Sequence, residues 1–310
     1  MNIGALGRRW VRYLPVLAVG HPLRGRERYR PFFIVGSGRS GTTLLRALLE
    51  AHPALHVPPE TYVLGDVVRE YQRYRRLPWH IVLRLVMGAL EYDPRWEAVD
   101  LTLGSVFRHL STAPPAACSL AAALDAVYRA HIARHKPSAV RWGDKNPANT
   151  FALPGLRAVF PDLQVLHIVR DGRDVVRSYL QFSQRSLTHF AEHWVRAVTC
   201  AQAFGAEHGS QYFELRYEEL VRRPRVTLEG VTAFLGVALD ERMLRHHELD
   251  LNLRDVDRYD HLKGVREPIY TKSIGGWEKA FDARQIAELE RTLGPTLAGL
   301  GYVDNGDTDS

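Results

Sequence analysis

The sequence predicts an α/β protein of three layers, with a central parallel sheet and helices on both faces. Three observations carry this. Short apolar runs alternate with longer stretches of helical periodicity, the pattern of βαβ units. The runs are apolar throughout, as strands covered on both faces require. The first run passes straight into a glycine-rich turn that opens an amphipathic helix.

In chain order, strands are expected at 32–35, 139–142, 164–169 and 211–215. Helices are expected at about 41–51, 61–75, 79–91, 119–135, 149–159, 171–182, 187–207, 225–235 and 283–299. Right-handed crossovers then bring the loops at the strand C-termini to one edge, where ligands bind in such sheets. The 310 residues are 45% hydrophobic and 25% charged, an ordinary globular composition. Cys118 and Cys200 stand far apart, in no metal or redox spacing, so a reducing, cytoplasmic compartment is expected and a disulfide framework is not. The net charge of +6 and pI near 9.4 suit a polyanionic ligand, and equally an RNA or a membrane surface. Five of the 41 basic residues are lysines; that arginine bias reads as a GC-rich, bacterial genome and singles out Lys145. Residues 14–20 are too short to span a membrane and contain Pro15. The stretch from Trp10 to Val19 reads either as an interfacial helix making peripheral membrane contact or as an arm packed on the domain.

Two anion sites stand out. In Val35-Gly36-Ser37-Gly38-Arg39-Ser40-Gly41-Thr42-Thr43 the glycines let the backbone curl with its N–H groups inward. The following helix adds free donors and a partial positive charge. The loop is P-loop-like, but Thr42 stands where a Walker loop demands Lys, and a cation, Arg39, sits inside the loop instead. A nucleoside triphosphate with Mg²⁺ is therefore disfavoured, and a P-loop kinase or NTPase is a rival reading. Further on, the strand 164–169 ends in Arg170-Asp171-Gly172-Arg173-Asp174, with Ser178 in the next helix. An arginine fork plus a hydroxyl suits a terminal phosphate; the alternative is an Arg–Asp surface network, with Asp171 or Asp174 capping the helix.

Both motifs resemble those of sulfotransferases that use 3′-phosphoadenosine 5′-phosphosulfate (PAPS). Arg-Ser-Gly-Thr-Thr is the 5′-phosphosulfate loop in its tyrosylprotein-like form, and Val169 to Ser178 matches V-R-D-x-R-x-x-x-x-S, the 3′-phosphate motif. The resemblance implies a P-loop-like three-layer sandwich, PAPS as donor, adenosine 3′,5′-bisphosphate as product, and no metal requirement. It implies donor-binding roles for Gly38, Arg39, Ser40, Gly41, Thr42, Thr43, Arg170, Ser178 and Tyr217. It implies catalytic roles for Glu60 as base and for Arg39 and Lys145. Glu60, in Pro59-Glu60-Thr61, lies 21 residues beyond Arg39, and Lys145 lies 25 residues before Arg170, as in that family. The stretch from Pro268 to Trp277 resembles the loop that closes over the nucleotide. The resemblance divides the chain into an arm (1–30), a sulfotransferase domain (31–303) with a helical acceptor-side insert (62–138), and a flexible tail (304–310).

Each role has a plainer rival. Glu60 could be solvated ahead of a helix, Lys145 a surface lysine, Ser40 a turn residue, Tyr217 a core residue. His167 reads as a core histidine, and His246-His247 as a helix surface without a third metal ligand. A non-catalytic adenosine-phosphate binding module is the rival from another class. There are also departures from the tyrosylprotein pattern. Phe182 stands where those enzymes carry a nucleotide-contacting arginine, and Glu267 where they carry a lysine, which Arg266 or Lys272 could replace. The segment between Glu60 and Lys145 is longer, and the one after Ser178 shorter. The expected acceptor is therefore a lipid, glycan or small metabolite, with a tyrosylprotein sulfotransferase as the alternative and no nucleic-acid partner. Tyr71, Tyr74, Trp79 and nearby arginines would grip that acceptor, or form an amphipathic layer packed on the domain.

Overall fold

Five parallel strands form one sheet in the order β2-β3-β1-β4-β5. They are β1 (Phe32–Val35), β2 (Leu55–His56), β3 (Arg141–Lys145), β4 (Gln164–Val169) and β5 (Tyr212–Arg216). This computed structural model describes residues 19–303, apart from the side chains of 260 and 261. The expected interfacial helix, most of the arm and the tail fall outside the described residues.

The helices follow in chain order: α1 (Thr42–Glu50), α2 (Leu64–Tyr74), α3 (Trp79–Glu91), α4 (Trp96–Val99), α5 (Gly104–Ser111), α6 (Leu120–His135) and α7 (Leu153–Val159). Beyond β4 come α8 (Gly172–Leu180), α9 (Leu187–Glu207), α10 (Tyr217–Arg222), α11 (Pro224–Leu235), α12 (Arg254–Asp257) and α13 (Ala283–Gly299). The pleat of β1 divides the core. Phe33 and Val35 face α2, α3, α6 and α7, while Phe32 and Ile34 face α1, α10 and α11. A third apolar cluster joins α8, α9 and α13 beside the sheet. Among the described residues no helix is long and apolar enough to cross a membrane.

The structure departs from the sequence expectation in identifiable ways. β2 is two residues long and has no apolar run to announce it; its His56 is buried between Glu50 (3.1 Å) and His131 (2.6 Å). β3 starts and ends later than expected. Gly143 pairs with Phe32, whose ring lies where a Cβ on Gly143 would stand, 2.3 Å away. Asp144 and Lys145 extend the strand because the interior offers them partners. The expected helix over 149–159 is a 3-10 turn (Pro147–Ala152) followed by α7, and α4, α5, α10 and α12 are short helices without a full amphipathic repeat.

Candidate active site

β1 carries the loop 36–41 to the centre of the sheet's C-terminal edge, between β3 and β4, the switch position where open parallel sheets bind ligands. Thr150 anchors the loop, its Oγ1 accepting from the Gly36 N–H (3.1 Å) and donating to the Gly36 carbonyl (3.2 Å). Gly41 has a left-handed φ of 94°, and a Cβ there would come within 2.4 Å of the Tyr217 ring, so the position demands glycine. Gly38 is pressed against Tyr179, whose hydroxyl would lie 2.0 Å from an added Cβ. Arg39 holds φ 69° with a side chain, a strain of about 1–3 kcal/mol that clusters at functional loops. Gly41 is the N-cap of α1 and provides no side-chain cap, so the helix dipole and its first N–H groups face the loop.

At the end of β4, the Arg170 guanidinium stacks on Tyr217, 4.6 Å from the ring centroid, and donates to the carbonyls of Arg39 (3.2 Å) and Ser273 (2.5 Å). Its Nε is buried without a partner among the described residues. Asp171 caps α8, accepting from the Arg173 N–H at 2.9 Å. Asp174 does not cap. Fully buried, it accepts the backbone N–H groups of Gly275 (2.8 Å) and Trp277 (3.1 Å). Ser178, one turn on, accepts from Arg39 Nε at 3.0 Å. The Tyr217 and Ser273 hydroxyls pair at 2.6 Å.

Lys145, at the end of β3, is 1% exposed. Its Nζ donates to Thr43 Oγ1 at 3.1 Å and to Glu60 Oε1, closing an ion pair. The other Glu60 oxygen accepts from the Tyr62 hydroxyl at 3.0 Å. The Glu60 N–H donates to Asp255 of α12 (3.3 Å), and Asp255 is held in turn by the fully buried Arg46 of α1 at 2.5 and 2.7 Å. Burial alone would raise the Asp255 carboxyl. The charges of Arg46 and Lys145 overcome that and hold it at about 2. Next to Lys145, burial pushes the Asp144 carboxyl up to about 6 against hydrogen bonds from Tyr128 (2.6 Å) and Asn149 (2.5 Å).

Two cavities meet at this edge. One, of about 260 Å³, is lined by Gly41, Arg170, Ser178, Tyr217 and the covering segment from Gly264 to Ser273. The other, of about 530 Å³, is lined by Glu60, Tyr62, Arg95, Phe151, Tyr179 and Phe182 among others. Arg39, Thr42 and Thr43 line both. Gly38 lines the larger cavity. Ser40 lines neither: its N–H bonds the Ser37 carbonyl at 3.2 Å, and its buried Oγ has no partner among the described residues.

Lys145 is therefore no surface lysine. Tyr217 is buried, but its ring faces Arg170. His167 is a core histidine, as expected, bonded to Tyr212 at 2.6 Å and Glu214 at 3.1 Å. His246 bonds the Val265 carbonyl at 2.9 Å, and among the described residues no group of three potential metal ligands occurs. Tyr71 and Trp79 do not reach the larger cavity. Both are buried in the core, with Tyr71 donating to Pro22 O (3.0 Å) and Trp79 to Leu110 O (2.8 Å). The insert contributes Tyr62, Arg95 and Ala98 instead. Phe182 lies beneath Arg39, 5.1 Å from ring centroid to guanidinium. Of the possible substitutes at the covering segment, Arg266 is paired with Asp257 (2.8 Å), while Lys272 sits 4.6 Å from the ring centroid of Tyr270, a cavity residue. Sequence reasoning passed over Arg46 and Asp255. The signal available was a charged residue set among Leu45, Leu48 and Leu49 on α1.

Comparison with known proteins agrees with this geometry. The profile described as Sulfotransferase family matches residues 31–241, well over half of the chain, which therefore belongs to the sulfotransferase family. It is 25% identical over 287 residues to a putative protein-tyrosine sulfotransferase of Caenorhabditis briggsae, covering 87% of this chain and 88% of that one. It is 26% identical over 283 residues to protein-tyrosine sulfotransferase 2 of Gallus gallus, covering 87% and 68%. In fold it resembles the sulfotransferase domain of the Synechococcus PCC 7002 olefin synthase, with a TM-score of 0.60 at 22% identity over 87% of this chain and 96% of that one.

Proposed function

We propose that this sulfotransferase carries the sulfuryl group of PAPS to the hydroxyl of a compact non-peptide acceptor: a lipid, a glycan or a small metabolite. The observation that carries the reading is the meeting of two cavities at Arg39, Thr42 and Thr43, with Glu60 and Lys145 at the junction. The smaller cavity fits the bisphosphate end of the donor. Arg170 lines it, with a buried Nε that has no partner among the described residues, Ser178 adds a hydroxyl, and Tyr217 braces Arg170. The N–H groups at the start of α1, Thr43, Arg39 and Lys145 suit the phosphosulfate, neutralising charge on the leaving oxygen. PAPS supplies a transferable group that bears less negative charge than a phosphoryl group, so we also propose that transfer needs no metal. Glu60 receives the acceptor's proton. A cavity of about 530 Å³ is the size that encloses a small ligand, which favours a compact acceptor. The names of the relatives favour a second reading, a tyrosine acceptor in a protein.

Calorimetry without Mg²⁺ tests the donor site. Adenosine 3′,5′-bisphosphate is expected to bind more tightly than AMP, and Arg170→Ala to lose about 1.5–3 kcal/mol of that affinity, the scale of hydrogen bonds to charged groups. Equal affinities for the bisphosphate and AMP would remove the 3′-phosphate assignment. Radiolabelled PAPS offered with lipids, sugars, small alcohols and tyrosine peptides separates the acceptor readings: label on an acidic tyrosine peptide alone selects the second.

A further inference from the structure

We propose that Tyr62 is itself a sulfuryl acceptor, modified by its own chain when no other acceptor fills the larger cavity. The inference rests on the donor and base assignments above. If Glu60 takes the proton of the attacking hydroxyl, the place of attack is marked by whichever hydroxyl donates to Glu60. In this structure that hydroxyl is the phenol of Tyr62, 3.0 Å from Oε2. The opposite oxygen of the same carboxylate is held by Lys145, which also holds Thr43 of the glycine loop. One carboxylate thus joins the phenol to the edge where the phosphosulfate would sit.

Two further observations point the same way. The Arg95 guanidinium lies 3.9 Å from the centroid of the Tyr62 ring, a cation set against charge gathering on the phenol; burial and the Glu60 charge nevertheless hold the resting phenol well above its ordinary range, so its proton passes to Glu60 only as the new bond forms. Tyr62 is 41% exposed, on the segment between β2 and α2, at the wall of the larger cavity, so no core packing restrains its approach. Tyr71 is committed to Pro22 O, Tyr128 to Asp144 and Tyr217 to Ser273, while Tyr179, which also lines the larger cavity, turns its hydroxyl to Ser37 of the loop and not to Glu60.

The step balances. The bond from sulfur to the donor's 5′-phosphate oxygen breaks, and a bond from sulfur to the Tyr62 oxygen forms. The phenol proton passes to Glu60, and adenosine 3′,5′-bisphosphate departs with the electron pair of the broken bond. The product is a tyrosine sulfate ester at the mouth of the acceptor cavity, with Arg95 as its counter-ion. An external acceptor must displace the phenol before it can react, so self-modification and ordinary turnover compete for one position.

The test uses the full chain and PAPS alone, read by intact mass and peptide mapping. The expected result is one added SO₃ per chain, on the peptide containing Tyr62, with a burst of bisphosphate of equal amount. Tyr62→Phe is expected to lose both, with its affinity for adenosine 3′,5′-bisphosphate kept within about twofold, while Glu60→Gln slows labelling by about a hundredfold or more. Unmodified Tyr62 in a chain that binds the bisphosphate overturns the inference and leaves the donor reading standing, as does label on any other tyrosine. A chain that binds no bisphosphate overturns the donor reading, and this inference with it.

Discussion

Arg46 sits on α1 among leucines, fully buried, and its partner Asp255 lies 209 residues away in sequence. Arg46 carries a carboxylate to the Glu60 backbone, which fixes the peptide on which the proposed base stands. Glu60→Gln keeps the shape and the hydrogen bonds of the side chain but cannot take a proton. Turnover with any identified acceptor is expected to fall by about a hundredfold or more with bisphosphate affinity nearly unchanged, a split that steady-state kinetics and calorimetry read directly. Asp255 gives a pH prediction. Its folded value of about 2 lies below the ordinary 3.8, so its contribution is complete above about pH 4 and is lost as pH falls towards 2. The shift corresponds to about 2 kcal/mol. Urea unfolding of Asp255→Asn should lack that part of the acid loss. The variant should also be weaker at neutral pH by about 3–5 kcal/mol, because Arg46 is left buried and uncompensated. The places of Arg39 and Arg170 at the sheet edge were legible in the sequence because each sits in a local signature at a strand end, whereas Glu60 and Lys145 were reached only through the family likeness. Arg46–Asp255 was legible in neither way, because a long-range ion pair leaves no local spacing.

At the scale of elements, α2 and α3 show how an aromatic-rich stretch can mislead. Tyr71 and Trp79 share their helices' inward faces with Val67, Val68, Val82, Leu83 and Val86, the spacing of a core stripe. That period could have told packing from ligand contact, whereas residue type alone could not. Trp79→Ala is expected to cost about 3–5 kcal/mol in stability, measured by denaturant, without changing bisphosphate affinity. An affinity change of more than about threefold would return the insert to the ligand. The long helices and the strands β1 and β4 were legible because apolar period and length agree there. β2 and α12 were not, because a strand of two residues or a helix of one turn is specified by the neighbours it docks against.

For the whole molecule, the legible part is the sheet edge: a parallel sheet places its strand-end loops together, so two loop motifs in the right order are enough to locate a site. The covering segment was legible only as a family likeness, because what fastens it is spread over distant residues. Arg170 donates to Ser273 O, Tyr217 pairs with Ser273 Oγ, and buried Asp174 takes the N–H groups of Gly275 and Trp277. Two of these fasteners, Arg170 and Asp174, flank the start of α8, the helix that also carries Ser178. The strap and the proposed phosphate receptor are thus one mechanical unit, and this bears on timing. If the donor binds as proposed, the spent nucleotide leaves only when those bonds open, and the clasp then sets a dwell time and with it an upper limit on turnover. Asp174→Ala, read by stopped-flow displacement of bound bisphosphate, should shorten that dwell by about tenfold or more, since about 1.4 kcal/mol of lost fastening suffices. If the enzyme is limited by departure and not by chemistry, loosening this one carboxylate will make it faster when substrate is plentiful and poorer at capturing a scarce donor.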